Sequence, residues 1–190
     1  MLRPVFCPFI IRLMRAVEAM RLEAELIYGQ LRETVLEISE PLAWAKIPVA
    51  EGEYLHSNGT IIGIVQHVAT CKYIYGSAAF RSLDVRFRDC FARMEEIGTS
   101  WDGTVKFLGD SQAYWMAAWA DLADEELDAG RASFRGDLRP TWKLIGTVTQ
   151  HDAHHLGQIQ MLGAVLTPAV SPPDMELEEE KKHCLDLPSW

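Results

Sequence analysis

The sequence predicts an all-α protein: a four-helix bundle with a long crossover connection and an extra short helix. Three observations predict it. Apolar residues recur at steps of three and four over long stretches, the period of a helix with one buried face. Runs with strand-like alternation are few. Pro, Gly, Ser, Thr and Asp fall where the periodic stretches begin and end. The chain has 190 residues, 48% of them hydrophobic, with six tryptophans. That suits one domain with a substantial core, expected over residues 1–170. Residues 171–190, with "MELEEEKKH", read as an acidic C-terminal tail that lacks the apolar content to fold by itself.

The first helix is expected from Leu13, Val17, Met20, Ala24, Ile27, Leu31, Val35 and Ile38, which trace one apolar stripe. Arg15, Glu18, Arg21, Glu25 and Arg32 mostly lie off it, and Pro41 is expected to stop it. Gly29 lies inside this helix, where it costs about 1 kcal/mol against Ala; close packing or a bend is expected there. Residues 41–57 show no period, and their length suits a crossover at the end of a bundle. A second helix starts near "SNGT", where Ser57, Asn58 and Thr60 are all competent caps, and runs to about Ala79. Residues 84–97 read as a short helix ended by Gly98. A third main helix is expected after "GDS", capped by Asp110 or Ser111, carrying Trp115, Trp119 and Leu122 and ending near Leu127. The two tryptophans read as core. The turn-rich "DAGRASFRGDLR" is expected as an extended hairpin or a loop. A fourth main helix starts at Pro140, a residue favoured in a first turn, and ends before Pro168.

A formal net charge of −9 gives no basic footprint for nucleic acid and no attraction to anionic lipid. Cys7, Cys71, Cys90 and Cys184 are far apart and form no CxxC pair, so neither a disulfide framework nor a zinc ribbon is expected. The apolar run near the N-terminus is broken by Pro8 and Arg12 and lacks a small-residue cleavage site. No stretch reaches the roughly 18 apolar residues that cross a bilayer. The expected location is the cytoplasm.

Half of the six histidines fall in "QHDAHHLGQIQ", residues 150–160. On a helix, each residue turns about 100°. His151 and His155 therefore lie about 40° apart, one turn above the other, on the side of Leu144, Val148, Leu162 and Leu166. Two imidazoles at this spacing can share one metal ion. A third ligand must come from another element, and His67 in the middle of the second helix is the candidate. Cys71 is one turn further along the same face, either as a fourth ligand or as a small thiol packing beside the site. His154 lies near the rim, where a solvent-facing role is expected. His56 and His183 fall in a loop and in the tail. Gln158 and Asp152 are candidates to orient a ring N–H or a bound water, and Gln158 is better placed, because Asp152 points about 100° away from His151. From these residues alone, a metal site and ordinary core or surface histidines both stay open.

A histidine on the second helix, followed far downstream by "HDAHHLGQI", resembles the DinB/YfiT-like superfamily of metalloenzymes. That pattern has one His on helix two and His-x-x-x-His-x-Gly-Gln on the last helix. Here it falls on His67, His151, His155, Gly157 and Gln158, and the resemblance spans roughly residues 10–167. It implies a DinB-like helical bundle domain, three histidines holding a divalent metal, and a homodimer. Zn²⁺ is the first expectation; Ni²⁺, Fe²⁺ and Mn²⁺ also suit imidazole. It further implies an enzyme that activates a low-molecular-weight thiol or a water, in thiol S-transferase-like or hydrolase-like chemistry. The alternative is a metal-stabilised helical dimer that binds a partner or small ligand without catalysis. Two departures stand out: Leu156 replaces the Arg that often follows the last ligand, and residues 81–109 exceed a minimal bundle.

Overall fold

The computed structural model describes residues 14–47 and 59–167. Leu13, Cys7, His56, Ser57, Asn58, His183, Cys184 and the acidic tail lie outside the described residues, as do the ends of the expected domain. Within them the protein is a helical bundle. Its main helices are α1 (Ala16–Glu37), α3 (Ile61–Phe80), α5 (Trp101–Ala118) and α6 (Thr141–Leu166), with shorter α2 (Glu40–Trp44) and α4 (Phe87–Ile97). A small antiparallel hairpin, β1 (Gly130–Ala132) and β2 (Leu138–Pro140), pairs Arg131 with Arg139 and leads into α6.

The long helices bury the stripes their spacing announces. On α1, Val17, Ala24, Leu31 and Val35 are buried. The α3 sequence "IIGIVQHVATCKYIYGSAAF" has Lys72 as its single charged residue. It is accordingly the most enclosed helix, packing on α5, α6, α2 and α4, as expected of a helix that is apolar nearly all round. α1 lies mainly against α6.

The core falls into two apolar clusters. One gathers Leu31, Val35, Ile61, Val65, Phe107 and Ile159. The other gathers Val17, Ala24, Trp115, Trp119, Ile145 and Val148. Along α1, α5 and α6 the residues between the two clusters include Tyr28, Gln112 and Asp152. A polar layer thus crosses the bundle at mid-height.

Several ends differ from the sequence reading. Pro41 does not stop α1, which ends at Glu37; Pro41 sits in the first turn of α2, a helix hidden in the aperiodic connection. α5 begins eight residues before "GDS": Ser100 caps it by accepting from the Gly103 N–H at 3.0 Å. Asp110 and Ser111 are therefore mid-helix residues, Asp110 paired with Lys106 and Arg93 and Ser111 bonded to the Leu108 carbonyl. The same helix stops at Ala118, and the Arg21 guanidinium bonds to the Trp119 and Ala120 carbonyls at 3.1 and 2.8 Å. Gly29 is not a close-packing position, since a Cβ there would meet nothing within 4 Å. Pro140 precedes the first turn of α6 and closes β2. As expected, Thr60 caps α3 by accepting from Gly63 N–H at 3.2 Å, and Gly98 ends α4 with a φ of +58°, a left-handed conformation that glycine adopts without strain.

One cap is invisible in local sequence. Arg15 offers α1 no side-chain cap. The Asp124 carboxylate instead accepts from the Ala16 and Val17 N–H groups, each at 3.0 Å, from 108 and 107 residues away.

Candidate metal centre

α3 and α6 pack against each other at the polar layer, and their histidines meet there. His67 projects from α3, and His151 and His155 from successive turns of α6. The Nε2 atoms of His67 and His151 are 2.9 Å apart, and those of His151 and His155 are 3.1 Å apart. The three residues can each offer a ligand atom, all within 4.8 Å of one another. His155 is buried at 2% exposure; the other two are half-buried.

The donor set fits a cation. Two imidazole nitrogens bound to one ion at about 2.0–2.1 Å stand roughly 2.9–3.4 Å apart, depending on the angle between them. The two measured separations fall in that range. Hydrogen bonding among the rings satisfies this arrangement poorly. His151 Nε2 has one in-plane direction, for a proton or for a lone pair, yet it faces two other Nε2 atoms. A single positive ion between them suits all three lone pairs.

Gln158 supports this state. Its amide oxygen lies 2.7 Å from His155 Nδ1, so Nδ1–H donates and the lone pair sits on Nε2, facing the cluster. His154 is exposed, its ring 5.1 Å from that of His155, and its nitrogens lie outside the cluster. Cys71 is close without joining it: Sγ is 3.7 Å from His67 Nε2 but outside the group of mutually close ligand atoms. Burial pushes its thiol up to about 12. Leu156, one departure from the expected motif, is 8% exposed and packs in the first apolar cluster.

Asp152 faces a lysine. It is 2% exposed and forms an ion pair with the Lys72 ammonium, itself 1% exposed. Lys72 also donates to Gln112 Oε1 at 2.8 Å and stands 5.5 Å from the Tyr28 ring. Burial pushes the lysine down and the carboxyl up, and each partner's charge opposes that shift in the other. The pair thus ties α3 to α6 one residue from His151. The sequence reading missed Lys72, although a lone charge in twenty residues of α3 was a signal for it.

Bundle and histidine triangle together define a helical protein with a group of side chains able to hold one metal ion. Residues 28–159 match the model of the DinB superfamily, and the chain belongs to that family. No curated protein matches it. None of the described helices is long and apolar enough to cross a membrane.

Proposed function

We propose that His67, His151 and His155 bind a divalent metal ion, with Zn²⁺ the first choice, and that the protein is a metal-dependent enzyme activating a thiol or a water. The observation that carries this reading is the convergence of three Nε2 atoms from two helices, two of the separations being 2.9 and 3.1 Å. An ion held by three neutral imidazoles keeps its charge and lowers the pKa of a bound thiol or water, which yields a nucleophile near neutral pH. The chain's own residues supply the rest. Gln158 fixes the His155 ring. The Lys72–Asp152 pair holds the two ligand-bearing helices in register. A cavity reaching His67 gives a small molecule access. Transfer of a low-molecular-weight thiol to an electrophile and hydrolysis are the two chemistries this supports.

A metal-stabilised bundle without catalysis is the second reading, and the nearness of Cys71 to His67 favours it, because a fourth protein ligand would close the site. The cavity and the position of Cys71 outside the group favour an open site. We also propose a homodimer working in the cytoplasm. Exposed Leu22, Leu26, Met161 and Val165, on the adjoining helices α1 and α6, support the dimer.

Elemental analysis of protein purified without an affinity tag tests the metal. About one equivalent is expected, and none in a triple His→Ala variant. Turnover of a thiol with a generic electrophile, or of an activated ester, above that variant's rate supports the enzyme. Strong thermal destabilisation by chelator with no turnover in either assay supports the non-catalytic bundle. Sedimentation analysis tests the dimer.

A further inference from the structure

A cavity of about 820 Å³ opens among α2, α3 and α4, with His67 in its wall. Sites that enclose small organic molecules measure roughly 300–1,000 Å³. Its outer side is aromatic: Trp44 from α2 and Phe87 and Phe91 from α4 line it and are 40%, 46% and 53% exposed. Apolar rings left in water on one concave surface gain by covering a ligand. Lys46 and Glu95 also line the cavity; their opposite charges give it no preference for an ionic ligand.

The inner wall, on α3, carries a second and independent sign of a ligand. Thr70 lines the cavity and is 6% exposed, and its Oγ1 has no hydrogen-bond partner among the described residues. Threonines on α6 and at its C-cap solve this problem locally. Thr147, Thr149 and Thr167 each donate to the carbonyl four residues back, at 2.7, 3.2 and 2.6 Å. Thr70 makes no such bond. A buried hydroxyl left unpaired is costly, and such groups are rare in folded proteins. Thr70 follows His67 by three residues, so the two side chains are neighbours on one helix face.

We infer that this cavity is a substrate pocket for a neutral small molecule with a flat apolar group. That group lies against Trp44 and Phe91, while a polar group beside His67 takes the Thr70 hydroxyl as hydrogen-bond partner. The placement of the reacting end rests on the metal reading given above; the aromatic wall does not. Two titrations keep the two apart.

In the first, 2-naphthol is titrated into metal-stripped protein and followed by its own fluorescence. Saturable binding is expected. Phe91→Ser and Trp44→Ala should each weaken it at least fivefold, and Leu138→Ser, at a 73% exposed residue of β2 that does not line the cavity, should leave it within twofold. In the second, cobalt-loaded protein is titrated with benzohydroxamate and acetohydroxamate, which share a chelating head and differ in the ring. The aromatic probe should bind at least tenfold tighter, and Thr70→Val should weaken it at least fivefold while the cobalt spectrum of the free site stays as in the parent protein. Failure to take up cobalt would sink the metal reading and leave the naphthol titration to decide the pocket. Naphthol binding that is absent, or indifferent to Phe91→Ser and Trp44→Ala, overturns the pocket. So do equal affinities for the two hydroxamates.

Discussion

Replacing Lys72 with Met should be among the most damaging single changes in this chain. The substitution keeps an unbranched side chain, one atom shorter, and removes its charge. Asp152 is then left 2% exposed without its cation. Its second oxygen, Oδ1, has no hydrogen-bond partner among the described residues, so nothing nearby takes over. Gln112 also loses the donor to its Oε1. Breaking a buried ion pair from one side costs about 3–5 kcal/mol, a large part of the roughly 5–15 kcal/mol that holds a domain folded. For a domain of this size, each kcal/mol moves Tm by about 2–4 °C, so a drop of roughly 6–20 °C is expected. The double variant Lys72→Met/Asp152→Leu removes both charges and both desolvation costs. It should recover most of the loss, since apolar replacements of a buried pair are often neutral or better. Urea denaturation of the parent, both singles and the double gives the coupling energy as a cycle. A Lys72→Met variant within about 1 kcal/mol of the parent, or a double variant as unstable as the sum of the singles, would refute the idea that this pair is a buried, mutually dependent charge couple.

Four further outcomes are expected. Gln158→Leu removes the acceptor on His155 Nδ1 and should weaken metal binding about 10–100-fold with little change in fold, read by competition with a chromogenic chelator; unchanged affinity would refute its orienting role. Asp124→Ala uncaps α1 and should cost about 0.5–2 kcal/mol in urea denaturation, with hydrogen exchange rising first at Ala16 and Val17. Gly29→Ala should stabilise by up to roughly 1 kcal/mol, because a Cβ there meets nothing within 4 Å; a loss of stability in urea denaturation would refute the open setting of this position. Burial pushes the Cys90 thiol from its ordinary 9.0 up to about 11. A raised pKa favours the fold below pH 9, and that contribution fades as pH climbs toward 11. Stability should therefore decline over this window, and less steeply in Cys90→Ala.

Much of the candidate site was legible in the sequence. His151 and His155 share a helix face because four residues turn through slightly more than a full circle, and Gln158 follows from the same arithmetic. His67 was legible only as an inward position on a second helix; nothing local to it fixes its distance from α6. The Lys72–Asp152 pair was not read. In the sequence Asp152 reads as a partner for a histidine ring or a bound water, whereas its ion-pair partner lies 80 residues away. The start of α5 is hidden in the sequence for a different reason. Asp110 and Ser111 have the chemistry of caps, but so does Ser100, and cap chemistry does not say which candidate the chain uses. The Asp124 cap on α1 joins groups more than a hundred residues apart and leaves no trace in either segment.

What the sequence determined by itself was therefore what depends on neighbours along the chain: helical period, the faces that turn inward, the spacing of His151 and His155, and the overall negative charge. Those properties follow from backbone geometry and from counting. Tertiary structure alone decided which inward groups meet. It brought His67 within 2.9 Å of His151, set Lys72 against Asp152, and left Thr70 facing a cavity. Such meetings depend on how helices dock, and docking is fixed by the packing of side chains from all of them at once.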